Sequence, residues 1–227
     1  IEKCRICSSN KLNKFLDMGR LPPPNNFLKE EDLKRMERRY KLACLFCENC
    51  GLVQLTHVVN PNLLFSNYLY IPSTSRVMQN NFNSLAYLGK KLLNLDEKSK
   101  VIDIGSNDGT LLSIFKRMGC KVLGIDPAKN LAKLASEKGV KTLTRLFTRK
   151  TTKHVVNKFG RADLITATNV AAHVHNLSDF LSGVSTVLKK GGLFVTEFPY
   201  LMDLITKQQF DTIYHEHLSY FSLKPWK

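Results

Sequence analysis

The sequence is poor in acidic residues and has no long apolar run. Of its 227 residues, 19 are Asp or Glu and 34 are Lys or Arg, so the formal net charge is +15 at pH 7. No apolar stretch approaches the ~20 residues that a membrane-spanning helix needs. The first residues contain neither an initiator Met nor the apolar core of a signal peptide, so we expect a trimmed cytoplasmic chain.

The positive charge is scattered, because no run of five or more like charges occurs. An ordinary solvated surface explains it best, although an anionic partner, either a phosphorylated small molecule or nucleic acid, stays open. Hydrophobic residues make up 43% of the chain, which is enough for a folded core and excludes wholesale disorder.

Composition divides the chain into three predicted segments. Residues 1–58 hold five of the six cysteines and show little apolar periodicity, so we expect something other than a hydrophobic core to hold this module together. Residues 59–95 are predicted to be a linker that contacts substrate and carries an amphipathic helix. The apolar positions of that helix are Phe82, Leu85, Ala86, Leu88 and Leu92.

From Lys100 onward, apolar strands alternate with helices. The predicted strands are 101–104, 121–125, 140–143, 163–168 and 193–197, and the predicted helices are 110–118, 131–138 and 177–188. This alternation is typical of a doubly wound α/β fold with a parallel sheet covered on both faces. The pattern stops near Leu223, so we expect the domain 96–227 to be incomplete and the chain to be a fragment of a longer protein.

Two C-x-x-C pairs, Cys4/Cys7 and Cys47/Cys50, predict a structural zinc site. Each pair presents two sulfurs to one ion, and four thiolates without an open position stabilise a fold rather than carry chemistry. Gly51 follows the second pair and suits its tight turn. Cys44 and Cys47 form a competing pair, but we favour Cys44 as a small buried hydrophobe.

The stretch Asp103-Ile104-Gly105-Ser106-Asn107-Asp108-Gly109 joins a strand to a helix. It matches neither the dinucleotide fingerprint nor the phosphate loop, and no lysine closes it. Instead the acid Asp103 ends the strand, which favours an ammonium or sulfonium ligand, and Asp126 ends the next strand, where a carboxylate can bind ribose hydroxyls. This combination resembles a class I (Rossmann-like) S-adenosylmethionine-dependent methyltransferase.

Two H-x-H pairs, His173/His175 and His215/His217, follow the fourth and fifth predicted strands. Ligands of open α/β sheets bind beyond the carboxyl ends of the strands. The pairs therefore indicate a second metal site or acid–base chemistry, with structural histidines as the third interpretation.

The chain as a whole is similar to the sugar C-methyltransferases that act on nucleotide-linked 4-keto-deoxyhexoses. The matching stretches are the two cysteine pairs, 18–27, 50–55, 65–70, 103–112, 169–174 and 197–223, of which Tyr214-His215-Glu216-His217-Leu218-Ser219-Tyr220-Phe221 is the most specific. The sequence departs from the family at Ile71-Pro72, where small polar residues are usual.

The resemblance implies His217 as the general base, with Tyr214 and Glu216 beside it and His173 and Tyr68 as further substrate-site groups. It also implies a bound S-adenosylmethionine, which we expect to be held by Asp103, Gly105, Asn107, Gly109, Asp126 and Asn169. A base that removes the proton beside a ketone gives an enolate, which then takes the methyl group.

Two other functions stay open. The positive charge is compatible with a zinc-module methyltransferase that acts on RNA or protein, although no basic stripe with interleaved aromatic residues supports nucleic-acid binding. A zinc-stabilised binding fragment without catalysis is the other. We expect a nucleotide-diphosphate sugar as the partner, and neither nucleic acid nor membrane.

Overall fold

A computed structural model of the chain describes residues 1–25, 27–66 and 68–227. Asn26 and Asn67, which belong to two of the stretches that match the family, lie outside the described residues. One compact unit comprises 1–64, 171–177 and 198–227, and the other comprises 65–170 and 178–197. The units are interleaved along the chain, and the division of the sequence at residues 58 and 95 stays a prediction.

The strands and helices have the following bounds. The strands are β1 (Leu12–Leu21), β2 (Tyr40–Cys47), β3 (Val53–Leu55), β4 (Lys100–Ile104), β5 (Lys121–Ile125), β6 (Thr142–Leu143), β7 (Ala162–Thr168), β8 (Leu188–Glu197) and β9 (Ser219–Tyr220). The α-helices are α1 (Pro61–Phe65), α2 (Arg76–Leu93), α3 (Thr110–Arg117), α4 (Lys129–Glu137), α5 (Arg149–Lys158), α6 (Leu177–Val187), α7 (Leu201–Thr206) and α8 (Leu223–Trp226). Short 3₁₀ turns lie at Glu30–Lys34, Pro72–Thr74, Ala171–His173 and Phe210–Thr212.

The first unit contains an antiparallel sheet in the order β1-β2-β3-β9. Its buried apolar cluster joins Leu42 and Leu55 of the cysteine-rich segment to Leu218 and Tyr220 near the end of the chain. The expectation that something other than a hydrophobic core holds the module together is therefore wrong: a buried apolar cluster is present, and residues far away in sequence complete it.

The second unit contains the parallel sheet, in the order β6-β5-β4-β7-β8. Its five strands confirm the predicted α/β fold, and β4, β5 and β7 are apolar because helices cover both faces. In this sheet Asp103 is paired with Gly124 on one side and with Thr166 on the other, so the acid lies at the carboxyl edge.

Helix α2 packs through Phe82, Ala86 and Gly89, which are buried. A Cβ at Gly89 would come within 3.0 Å of Leu164 Cδ2, so the glycine allows close packing of the helix on the sheet. Leu88 and Leu92 are 57% and 60% exposed. Their assignment to the apolar face is wrong, since at about 100° per residue Leu88 lies roughly 160° and Leu92 roughly 120° around the helix from Ala86.

Two further elements differ from expectation. Strand β8 begins at Leu188, ahead of the predicted strand 193–197; a register shift against β7 and a left-handed Gly191 (φ 80°) accommodate the additional residues. Helix α5 is not predicted, because only Thr152 and Val155 of its ten residues are buried and no apolar stripe marks it. Within the part of the chain that the structure describes, no helix has the length and apolarity to cross a bilayer.

Candidate functional site

The four cysteines of the two C-x-x-C pairs lie together in the first unit. Their sulfurs are all within 4.8 Å of one another; Cys4 Sγ lies 3.5 Å from Cys50 Sγ, and Cys7 Sγ lies 3.6 Å from Cys47 Sγ. A tetrahedron with zinc–sulfur bonds of about 2.3 Å has sulfur–sulfur separations of about 3.8 Å. The donor set therefore fits zinc.

The two pairs have the same backbone geometry. The amide of Ser8 donates to the carbonyl of Cys4 at 3.0 Å, and that of Gly51 donates to the carbonyl of Cys47 at 2.8 Å. Ser8 and Gly51 both have positive φ, at 57° and 81°. Each chain segment thus turns tightly enough to present two sulfurs to one point.

The sulfurs differ in acidity. A hydrogen bond with the Asn49 side chain lowers the pKa of Cys7 to about 6, whereas burial raises the pKa of Cys4 and of Cys50. Zinc binds thiolates, so metal binding releases these protons. Cys44 lies fully buried in the apolar cluster of the first unit and outside the four-sulfur group, as predicted.

The loop between β4 and α3 lies in the second unit and has three left-handed residues. Gly105, Asn107 and Gly109 have φ values of 68°, 49° and 73°. A Cβ at Gly105 would collide with the side chain of Val170, whereas one at Gly109 would meet Ala135 Cβ at 3.0 Å. Gly109 therefore allows α3 to pack closely against α4, and its contact with the cofactor stays a prediction.

Two buried carboxyl groups flank this loop. Thr166 Oγ1 donates to Asp103 Oδ1 at 2.7 Å, and burial, aided by the charge of Asp126, raises the pKa of Asp103 to about 7. Burial also raises the pKa of Asp126, although the amides of Ala128 and Asn107 donate to its two oxygens at 2.8 and 2.9 Å. Each Asp126 oxygen keeps a lone pair that can accept a hydrogen bond from a hydroxyl, so this pair of acceptors fits the two hydroxyls of a ribose.

The segment that carries Tyr68 is tied to the same loops of the second unit. Asn130 Nδ2 donates to the Tyr68 carbonyl at 2.7 Å, and the Tyr68 amide donates to Asn130 Oδ1 at 3.4 Å. Asn107 Nδ2 donates to the Tyr70 carbonyl at 3.0 Å. The sequence analysis missed Asn130. Its position shortly after Asp126, at the start of α4, could have indicated that it lies near the predicted cofactor loops.

Asn169 ends β7 in a left-handed conformation, with φ of 54°. Its amide donates to the carbonyl of Glu197 at 2.7 Å, and Asn81 Nδ2 donates to Glu197 Oε2 at 2.8 Å. The exposed Asn169 side chain stays a predicted cofactor contact.

The histidine site belongs to the first unit. Tyr214 Oη lies 2.9 Å from His217 Nε2, and His217 Nδ1 lies 3.1 Å from the Thr212 carbonyl. A carbonyl can only accept, so Nδ1 carries the proton and Nε2 accepts the hydrogen of the Tyr214 hydroxyl. The neutral ring therefore presents a basic nitrogen towards a phenol.

Burial sets the charge of these groups. It lowers the pKa of His217 to about 4 and, with the neighbouring charge of His217, the pKa of His173 to about 3. The two rings meet edge to face, with centroids 4.9 Å apart. Burial raises the pKa of Tyr214, so at neutral pH all three groups are uncharged.

The remaining predicted residues are placed as follows. Glu216 is buried in the first unit, where Asn25 Nδ2 donates to its Oε1 at 2.9 Å. The structure thus brings Tyr214, Glu216, His217 and His173 into one unit and places Tyr68 in the other. Among the described residues, the four cysteines are the only group that could hold a metal, so the histidine pairs form no second metal site there.

Two family models match the chain. Residues 4–65 match the one described as "Putative zinc binding domain", and residues 76–227 match the one described as "Methyltransferase domain".

Two curated proteins that are similar to this chain are both named as methyltransferases. The chain is 36% identical over 223 residues to the C-methyltransferase NovU of Streptomyces niveus, which covers 98% of this chain and 53% of that protein. It is 38% identical over 108 residues to a ubiquinone biosynthesis O-methyltransferase of Bradyrhizobium sp. (strain ORS 278), covering 46% of this chain and 42% of that protein. The chain thus spans about half the length of these relatives.

Among solved structures, the plantazolicin methyltransferase BpumL in complex with SAH matches with a TM-score of 0.53 and 15% identity. The match covers 68% of this chain and 63% of that one, and it shows a shared fold.

Proposed function

The chain belongs to the methyltransferase-domain family, and from this premise we propose that it methylates a carbon atom of a nucleotide-linked 4-keto-deoxy sugar. The cofactors are S-adenosylmethionine and a structural zinc ion. Support for carbon as the acceptor comes from the similarity to a protein named as a C-methyltransferase. The keto sugar is proposed from the family resemblance of the sequence.

The observation that carries the proposal is the contact between Tyr214 and His217. A carbon-bound proton beside a ketone needs a base that is unprotonated at neutral pH, and burial keeps His217 in that form. The carbonyl of Thr212 fixes the tautomer that leaves Nε2 free of a proton. His217 is thus set up as a base before substrate arrives.

We propose that the proton moves through Tyr214. The Tyr214 oxygen takes the proton from the carbon beside the ketone while its own hydrogen passes to His217 Nε2, which lies 2.9 Å away. The electron pair of the broken C–H bond becomes the enolate, and Tyr214 ends neutral. We assign His173, Glu216 and Tyr68 to the binding and orientation of the sugar.

The second unit holds the cofactor in this proposal. Asp126 binds the ribose hydroxyls, Asp103 lies at the carboxyl edge of the sheet, and Gly105, Asn107, Gly109 and Asn169 shape the loops around it. When bound, S-adenosylmethionine supplies an electrophilic methyl group on a sulfonium sulfur. None of the six cysteines is in a disulfide, and four of them are placed to hold zinc as thiolates; both features suit a reducing compartment, so we propose that the reaction takes place in the cytoplasm.

The test uses His217→Asn in the full-length protein. The amide of Asn can keep the donor to Thr212 but removes the basic nitrogen, so both ligands should bind nearly as in the wild type. Turnover of a 4-keto sugar should fall about 10²–10⁴-fold. Without S-adenosylmethionine, exchange of the carbon-bound proton with heavy water should disappear together with turnover.

The control is His154→Asn, which replaces an exposed histidine of α5 and should change neither rate. Proton exchange at the wild-type rate in His217→Asn would remove His217 as the base. Methylation of RNA or protein by a wild-type enzyme that leaves keto sugars unchanged would overturn the proposed substrate.

A further inference from the structure

Arg5 lies inside the first C-x-x-C pair, between two of the zinc-binding cysteines. Its backbone amide donates to Gln54 Oε1 at 2.9 Å, and Gln54 Nε2 donates to the Lys3 carbonyl at 3.3 Å. Gln54 is fully buried on β3. The backbone at Arg5 is thus held to β3.

The guanidinium of Arg5 reaches the loop that carries His173. Arg5 Nη1 lies 3.1 Å from His175 Nδ1 and donates to the His175 carbonyl at 3.3 Å. Arg5 Nε and Nη2 are buried without a hydrogen-bond partner among the described residues. These two nitrogens form one edge of the guanidinium, and such an edge suits an anionic acceptor.

Arg5 is joined to the cysteine cluster through the backbone, because it follows Cys4 directly and lies within the C-x-x-C turn. Zinc held by four thiolates would carry a formal charge of about −2. A cation fixed beside the cluster offsets part of its negative charge.

The His173 loop also packs on the cysteines. Ala171, Ala172 and Leu177 share a buried cluster with Cys4 and Cys47. The amide of Leu218 donates to the Ala172 carbonyl at 2.7 Å, which ties the loop to the segment that carries His217.

We infer that Arg5 is a positioning residue that couples the zinc cluster to the arrangement of His173 against His217. The inference rests on the proposed function for the role of these histidines. It gives the zinc site a task beyond the stability of the cysteine module. Cys4 and Cys7, when they hold the metal, would fix the turn that carries Arg5; Arg5 holds the loop at His175, and the loop sets His173 in place.

The test is Arg5→Ala in the zinc-loaded, full-length protein, read by hydrogen exchange of peptides covering 171–177 and 214–221. Exchange there should become roughly tenfold faster, because the loop loses its tie to the cysteines. Zinc should pass to a chelator faster than from the wild type. With substrate, kcat should fall while the KM for S-adenosylmethionine stays unchanged.

Two variants make the result specific. Arg20→Ala removes an exposed arginine of the same module, whose Nη2 donates to the Arg39 carbonyl at 2.8 Å, and should change none of these readouts. Arg5→Lys keeps the charge but not the planar fork, so it should restore zinc retention and leave the loop partly loosened. If Arg5→Ala does not fold, His175→Ala gives the same comparison, with faster exchange of the loop and zinc retained.

Unchanged exchange of 171–177 in Arg5→Ala would overturn the inference whatever the substrate is. Failure of the proposed function has a different signature: the wild type itself would neither exchange the proton of a keto sugar nor methylate it, while the effect of Arg5→Ala on loop exchange would persist.

Discussion

The hydroxyl of Tyr214 occupies the basic nitrogen of His217, at 2.9 Å, while the opposite nitrogen of the same ring is held by the Thr212 carbonyl at 3.1 Å. In the proposed reaction, a proton from the substrate therefore reaches His217 Nε2 by way of the Tyr214 hydroxyl. This arrangement gives the two residues separable roles, one as the final proton acceptor and one as the group that hands the proton over.

Tyr214→Phe tests the second role. The variant keeps the ring and removes the hydroxyl, so we expect kcat to fall about 10²-fold with little change in KM. Tyr220→Phe is the matched control: Tyr220 is also buried, but its hydroxyl donates only weakly, at 3.4 Å, to the Thr212 carbonyl. Equal losses in the two variants would show that Tyr214 acts through packing.

Burial of His217 predicts an unusual acid limb in the pH profile. Because its pKa is lowered from 6.5 to about 4, the base stays unprotonated as the pH falls through 6. The measured kcat/KM should stay level from pH 7 to about 5 and decline below that. A midpoint near 6.5 would contradict the buried, neutral histidine seen here.

The same shift affects stability. The folded pKa lies below the unfolded value of 6.5, so the unfolded chain takes up this proton first as the pH falls. The stability that comes from the neutral ring is complete above pH 6.5 and is lost progressively down to about pH 4. We therefore expect the free energy of unfolding, measured by denaturant titration at several pH values, to fall more steeply with decreasing pH in the wild type than in His217→Asn within this window.

Cys44 and Cys47 lie on the same strand, β2, but only Cys47 is expected to be needed for zinc binding. Wild-type protein should carry about one zinc per chain, and Cys47→Ser should lose it and unfold the cysteine module. Cys44→Ser should retain the metal, because Cys44 is buried in an apolar cluster, and should lose only about 1–3 kcal/mol through the buried hydroxyl. Metal analysis of the purified variants decides between the two pairs, and zinc loss in Cys44→Ser alone would reverse the assignment.

Gly105 can be tested against a glycine of similar backbone conformation. Gly105 and Gly191 have φ of 68° and 80°, but a Cβ collides with Val170 only at Gly105 and meets nothing within 4 Å at Gly191. Gly191→Ala should cost about 1 kcal/mol of stability, whereas Gly105→Ala should also weaken S-adenosylmethionine binding at least tenfold. Calorimetry measures the affinity. Adding Val170→Ala should recover part of it; no recovery would place the strain elsewhere.

The parallel sheet could be predicted because its strands are continuous apolar runs between helices, and each such run has only one favourable environment. The grouping of the four cysteines could be predicted because C-x-x-C is a local pattern. Each of these two patterns, an apolar run or a C-x-x-C pair, is complete within a few consecutive residues.

The assembly of the first unit could not be predicted in the same way. Val53 pairs with Tyr220, and Arg5 contacts His175, across more than a hundred residues. No periodicity records such pairs, since each residue alone is compatible with an ordinary strand or loop. Asn130 was missed for a related reason: an amide at the start of a helix gives no sign that its partner is the backbone of Tyr68.

Asn130→Ala is the sharpest test of that missed contact. The change removes both hydrogen bonds to the backbone of Tyr68, so the segment 68–72 should exchange its amides faster and the affinity for S-adenosylmethionine should fall about 3–30-fold. Lys129→Ala removes an exposed neighbour on the same helix and should change neither. Asn130→Asp keeps the acceptor but loses the donor and turns a carboxylate towards the Tyr68 carbonyl, so it should be at least as damaging as alanine. If the segment exchanges in Asn130→Ala as it does in Lys129→Ala, Asn130 does not hold it against the cofactor loops, and Asn107 alone, through Tyr70, would have to do so.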